Sequence, residues 1–161
     1  ALSSVQRSID NPRLSSEVNI QGTLNLLEAS LKNNVKRFIY ASSSSVYGDS
    51  LKLPKTEEMA TSPKSIYAVT KLTAEYYTRL YSKLFFLKTI SLRYFNVFGQ
   101  RQDPNSIYSA VIPRFIRKIK NKEQPEIFGD GSQSRDFTYI DNVIFANYLS
   151  CVSENKKIDT A

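Results

Sequence analysis

Tyr67 and Lys71 stand four residues apart in the run SIYAVTK, and the run ASSSSVYG lies upstream, ending at Gly48. On a helix this spacing puts a phenol and an ammonium one turn apart on the same face. A serine run at the end of a strand can reach the same place. A tyrosine whose pKa is lowered by a fixed cation is a general base, and a nearby serine hydroxyl can orient an alcohol. The combination suits removal of a proton from a sugar or alcohol hydroxyl while hydride leaves the same carbon.

Composition narrows the chemistry further. The 161 residues are enough for one domain with a real core and too few for two ordinary ones. At 41% hydrophobic and 23% charged residues, the class is soluble globular. No apolar run approaches the roughly 20 residues of a membrane span, and ALSSVQRSIDNP lacks the charged-then-apolar order of a signal peptide. The single cysteine, Cys151, allows no internal disulfide, which suits a reducing cytoplasm. The absence of histidine removes Ser-His-Asp triads, Cys-His pairs and nearly all zinc sites, so no metal is expected. Acid–base work falls to Tyr, Lys, Asp or Glu. The net charge is +7, and Arg114, Arg117, Lys118, Lys120 and Lys122 cluster. A solvated helix face is the first reading of that cluster and an anionic ligand the second. Nucleic acid comes last, because no recognition motif accompanies the charge.

The elements that must position these residues follow from periodicity. Ile20, Leu24, Leu27 and Leu31 predict a helix from Ser15 to Lys32. Lys36 to Ser42 reads as a buried strand, Gly48 to Pro63 as a loop, and Ser65 to Lys83 as the helix carrying Tyr67 and Lys71. Thr89 to Tyr94 reads as a second buried strand and Phe95 to Asn105 as a loop. Ala110 to Lys122 should be helical, Glu126 to Phe128 a short strand, and Phe137 to Ile140 another. Asp141 should cap a final helix to about Val152. The rhythm of strand, helix, strand, helix argues for α/β with a parallel sheet, whose ligands gather at the carboxyl ends of the strands.

ASSSSVYG, YAVTK, LRYFNVFG and FGDGSQSRDFTYI occur in that order. Together they resemble the extended short-chain dehydrogenases/reductases, and among them the NAD-dependent nucleotide-sugar epimerases and dehydratases. The nearest type is the UDP-N-acetylglucosamine (UDP-glucose) 4-epimerases. The resemblance implies part of a doubly wound Rossmann fold over residues 1–105. Residues 106–161 would be part of a smaller nucleotide-sugar domain, with some segments returning to the sheet. It further implies NAD as cofactor, a UDP-sugar as substrate, and a homodimer through a four-helix bundle built from the helix at Ser15 and the one carrying Tyr67.

The same resemblance assigns roles. Tyr67 would be the base, and Lys71 would bind the nicotinamide ribose and lower the tyrosine pKa. Ser43 would bond the reacting hydroxyl, with Ser44 behind it. Asn19, Ser42 and Tyr94 fall near the cofactor. Ser4, Asn96, Gln102, Ala110, Val111 and Arg135 fall on the side of the substrate. An arginine suits a diphosphate because its planar fork donates two parallel hydrogen bonds. The related dehydratases carry an Asp-Glu pair, and UDP-glucuronate decarboxylases usually a Glu, before the Tyr-Gly of the serine motif. Here Ser45-Val46 precede Tyr47-Gly48, which favours epimerisation.

None of the five glycines forms GxGxxG or GxxGxxG, the turn that holds a dinucleotide pyrophosphate. The chain therefore reads as the middle of a protein about twice this length, expected to bind NAD poorly alone. Three alternatives stay open: another nucleotide-sugar dehydratase, decarboxylase or reductase; a non-catalytic nucleotide-sugar-binding module; and nucleic-acid binding through the basic cluster.

Overall fold

The computed structural model describes residues 1–103 and 111–154. The described chain forms two compact units, one of Ala1–Tyr94 with the residues from Asn147 onward, the other within Phe95–Ala146. Ala110 lies outside the described residues.

The first unit opens with α1 (Val5–Asp10) and α2 (Pro12–Ser16). Ser4 caps α1 by accepting the Arg7 N–H, and Asn11 caps α2 by accepting that of Leu14. Pro12 then starts α2 where a missing N–H costs nothing. A π-helical turn, Glu17–Gln21, leads into α3 (Gly22–Lys32). The predicted helix from Ser15 is thus present but not uniform. Its widened turn buries Asn19 completely, and the Thr23 hydroxyl donates to the Asn19 carbonyl at 2.7 Å. Such single wide turns are common at functional sites.

Strands β1 (Arg37–Ser43) and β2 (Lys88–Tyr94) are parallel, paired from Arg37 with Lys88 to Ser43 with Tyr94. Parallel neighbours need a crossover, and α4 (Ile66–Phe85) lies between them in sequence. Ser65 caps α4 by accepting the Ala68 N–H at 3.1 Å, and Phe86 ends it in a left-handed conformation. Leu27, Tyr81 and Leu87 form a small core, backed by Leu24, Leu31, Phe38 and Tyr77.

Polar groups hold the rest of α4 to the strands. The Glu75 carboxylate is buried and takes three hydrogen bonds from the Arg93 guanidinium at 2.8–3.2 Å. Ser42 of β1 also donates to it. Thr78 meets Ser91 at 3.0 Å, and the Thr89 hydroxyl donates to the Thr78 carbonyl at 3.0 Å. Burial opposes the Arg93 charge, but the hydrogen bonds it donates to the Glu75 carboxylate, with Tyr47 close by, outweigh it and hold its pKa above the ordinary arginine value.

The second unit pairs β3 (Asn96–Phe98) with β4 (Phe137–Tyr139), also parallel. The Phe98 ring meets those of Phe137 and Tyr139, with centroids 6.2 and 5.5 Å away. Gly99 lies against Ile140, where a Cβ would collide with its side chain. Helix α5 (Val111–Lys120) collects Arg117, Lys118 and Lys120 in its last turn, where cations favour the helix dipole. Helix α6 (Ile140–Val152) follows β4 directly.

Three expectations are corrected. Part of the stretch expected as a loop, Asn96–Phe98, is a strand, because it finds a partner 41 residues away that a three-residue pattern does not announce. Glu126 to Phe128 forms no strand; its side chains line a pocket instead. Asp141 sits inside the first turn of α6, which starts at Ile140, so it complements the helix dipole and does not cap it.

Removing one partner of a buried ion pair leaves an uncompensated charge. Glu75→Ala is expected to lower the unfolding free energy of the protein carrying this chain by about 3–5 kcal/mol. The double change Glu75→Met with Arg93→Met should restore most of that loss. Urea unfolding measures both, and a loss below about 1 kcal/mol for Glu75→Ala would mean that solvent screens the pair.

Candidate active site

At the carboxyl end of β1 the chain turns through Ser43 into a short 3-10 turn, Ser44–Tyr47. The Ser43 oxygen accepts from the Ser45 N–H at 3.2 Å and from the Ser45 hydroxyl at 2.9 Å. Gly48 follows with φ of 63°, and a Cβ there would collide with the Ser62 carbonyl. That close approach lets the Ser62 N–H reach the Val46 carbonyl at 3.0 Å and ties the loop before α4 to the serine turn. Glycine is required for both reasons.

Tyr67 lies in the first turn of α4, half-buried. Burial pushes the Tyr67 pKa up, and the nearby Ser43 hydroxyl pulls it partly back. Lys71, one turn on, is almost wholly buried. Its Nζ donates to the Ala41 carbonyl at 2.8 Å and lies 5.9 Å from the centre of the Tyr67 ring and 5.1 Å from that of Tyr40. Burial lowers the Lys71 pKa. An ammonium has three N–H donors, and among the described residues Ala41 is the hydrogen-bond acceptor recorded for this one. Donors therefore remain that suit hydroxyl oxygens such as those of a ribose.

The other positions expected near the cofactor sit in the same unit. Ser42 is buried and committed to Glu75. Ser44 starts the 3-10 turn, half-buried. Tyr94 ends β2, pairs in register with Ser43, and its hydroxyl accepts from the Asn147 amide at 2.6 Å. Asn19 sits behind the site. It brackets the Leu2 backbone, accepting its N–H at 2.6 Å and donating to its carbonyl at 3.2 Å, and donates to Thr70 of α4 at 3.0 Å. Ser4 is buried, its oxygen engaged in capping α1.

In the second unit, Asn96, Val111 and Arg135 line one pocket of about 430 Å³, with Phe115, Phe128 and Phe137. The Asn96 amide donates to the Asp136 carbonyl at 2.8 Å. Arg135 is exposed, with one N–H on the Ser134 carbonyl. Gln102 is not among the residues lining this pocket. It faces another depression of about 400 Å³, beside Gly99, Arg117 and Lys120.

Sequence reasoning missed several residues that hold the site. Ser8 of α1 is buried and accepts the Tyr67 backbone N–H at 3.0 Å while donating to the Val5 carbonyl at 2.6 Å. Tyr40 underlies Lys71. Glu75 and Arg93 anchor Ser42. A signal existed for Glu75, which continues the four-residue stripe of Tyr67 and Lys71. Nothing local announced Ser8.

Residues 1–158 match the NAD dependent epimerase/dehydratase family. The chain is 38% identical over 156 residues to a putative UDP-glucose 4-epimerase of Methanocaldococcus jannaschii, covering 96% of this chain and 51% of that protein. It superposes on a UDP-N-acetylglucosamine 4-epimerase from Methanobrevibacter ruminantium, solved with UDP-N-acetylmuramic acid, with a TM-score of 0.94 and 44% identity over 99% of this chain and 51% of that one. A UDP-glucose 4-epimerase from Thermotoga maritima, solved with UDP-glucose, gives 0.92 and 36% over 100% and 52%. The chain belongs to the NAD dependent epimerase/dehydratase family. It spans about half the length of the curated relatives it matches. The mixed α/β fold with parallel strands is that of the Rossmann-like members.

The Ser43 hydroxyl opposes the effect of burial on the phenol, so Ser43→Ala is expected to raise the Tyr67 pKa further. Alkaline ultraviolet difference titration, compared with Tyr67→Phe to isolate this phenol, reads the shift. A Tyr67 titration unchanged in Ser43→Ala would mean that the Ser43 hydroxyl does nothing to the phenol.

Proposed function

We propose that the protein carrying this chain is an NAD-dependent epimerase acting at C4 of a UDP-hexose, UDP-GlcNAc/UDP-GalNAc or UDP-Glc/UDP-Gal. The observation that carries the reading is the buried Lys71 with its Nζ 5.9 Å from the centre of the Tyr67 ring, beside the serine turn at the carboxyl end of two parallel strands. The 4-epimerases among its relatives and structural neighbours support the same substrate class.

In this reading Tyr67, as phenolate, takes the proton of the sugar 4-hydroxyl while Ser43 holds that hydroxyl in place. NAD, when bound, supplies the acceptor and donor of the two electrons that leave and return at C4. Lys71 directs its remaining N–H groups at the cofactor ribose, with Tyr94, Ser42 and Asn19 around it. The 4-keto sugar turns over, and Tyr67 returns the proton to the new 4-hydroxyl. Asn96 and Arg135 are read as diphosphate contacts, with Ser4, Ser44, Gln102, Ala110 and Val111 on the substrate side. Residues 1–105 are taken as the C-terminal part of the cofactor domain and 106–161 as part of the substrate domain. The position two before Gly48 is Val46 and the one before that Ser45, whose hydroxyl bonds Ser43. No carboxyl group stands there for elimination of water, which supports epimerisation over dehydration.

A homodimer through α3 and α4 belongs to the same reading. It is supported by exposed apolar side chains at Val69, Tyr76, Leu80 and Leu84 of α4 and at Leu26 of α3. A cytoplasmic setting is supported by one exposed cysteine. Among the described residues no helix is long and apolar enough to cross a membrane.

Tyr67→Phe in the protein carrying this chain should abolish UDP-hexose interconversion, by at least about 100-fold, while NAD still binds. Products should keep the mass of the substrate. Near-normal turnover in Tyr67→Phe removes the base from its role. A product lighter by water or carbon dioxide makes the enzyme a dehydratase or decarboxylase.

A further inference from the structure

Burial moves the two groups of the site in opposite directions. It lowers the pKa of Lys71 and raises that of Tyr67. Both shifts work against a phenolate beside an ammonium, and a neutral amine cannot favour a phenolate. A Lys71 that assists Tyr67 must therefore be kept charged by its surroundings.

The groups facing it are few. Tyr40 on β1 presents its ring 5.1 Å below Nζ, and the Ala41 carbonyl of the same strand accepts at 2.8 Å. Tyr67 and Glu75 come from α4 itself. Glu75 is bound to Arg93 of β2 and Ser42 of β1. From the preceding helix, Asn19 and Thr23 are neutral. The Tyr40 hydroxyl lies near Thr23, but the Thr23 oxygen is committed to the Asn19 carbonyl, and the phenol has no well-formed partner. Burial first, then the charges of Tyr67 and Glu75, hold the Tyr40 pKa well above its ordinary value, so Tyr40 stays neutral. A neutral, electron-rich ring in a desolvated site stabilises a cation over its face.

We infer that Tyr40 is a positioning residue whose ring keeps Lys71 protonated over the Ala41 carbonyl and so preserves the charge that Tyr67 needs. The inference rests on the proposed function only where turnover is concerned; the charge state of Lys71 can be read without it.

The test uses the protein carrying this chain, labelled with ¹³C at the lysine Cε, with Lys71 assigned by its loss in Lys71→Met. Tyr40→Leu is expected to lower the Lys71 pKa by about one unit, and Tyr40→Phe to leave it unchanged. Tyr40→Met fills similar space without a ring and takes the place of Tyr40→Leu if that variant does not fold. A Lys71 pKa equal to wild type in Tyr40→Leu or Tyr40→Met overturns the inference. An equal fall in Tyr40→Phe does so too, since it would credit the hydroxyl. The alkaline limb of turnover against pH, where Lys71 loses its proton, should move down in Tyr40→Leu and stay in Tyr40→Phe. If the Lys71 pKa falls and that limb does not move, the assisting role of Lys71 fails while the effect of Tyr40 on its charge stands.

Discussion

Helix α4 has to bury a face that carries charge. Along one side it sets Tyr67, Lys71, Glu75 and Thr78 against β1 and β2, where most crossover helices present aliphatic side chains. Each of these groups loses water, and burying a charged or polar group is tolerated only when protein groups replace that water. The strands supply the replacements: the Ala41 carbonyl for Lys71, Arg93 and Ser42 for Glu75, Ser91 for Thr78. The pairing of β1 with β2 aligns these partners, so strand register and site geometry are one constraint. A slip of one residue would turn every partner to the other face.

The segment before α3 adds a second set of ties. Ser8 takes the Tyr67 N–H, one of the donors that a helix start leaves unpaired. Asn19, buried by the wide turn, joins the Leu2 backbone to Thr70. Both contacts meet α4 within one turn of Tyr67. The start of α4 around Tyr67 is thus held by its own cap at Ser65, by a serine from α1, and by an asparagine from the π-helical turn. Polar contacts of this kind have strict geometry, and they locate a side chain more sharply than apolar packing does. The small aliphatic core around Leu27 and Leu87 holds α3 and α4 together without defining where the phenol sits.

The second unit works differently. Its pocket is walled by aromatic rings and offers few polar groups, Asn96 and Arg135 among them. The Arg135 guanidinium is exposed and has one backbone partner, so most of its donors face solvent. An exposed planar fork is suited to an anion that brings its own paired oxygens. The stretch at Glu126 to Phe128 shows why apolar runs mislead. Glu126, Ile127 and Phe128 line a cavity, and among the described residues no strand pairs with them.

The chemistry of the site was legible in the chain because it rests on residue type and local spacing. The absence of histidine left Tyr, Lys, Asp and Glu for acid–base work, and the four-residue spacing of Tyr67 and Lys71 with the serine run before Gly48 singled out a phenol and an amine. The helices and the β1–β2 strands were legible for the same reason, since period and flanking turn residues are local. The partners of those groups were not. Tyr40 and Lys71 are 31 positions apart, Ser8 and Tyr67 59, and both pairs exist only once β1 and α1 pack on α4. Sequence determined which side chains are candidates for acid–base chemistry and on which elements they ride. Tertiary structure decided what surrounds them, and therefore their charge, because desolvation and cation–π attraction depend on neighbours in space that no local pattern encodes.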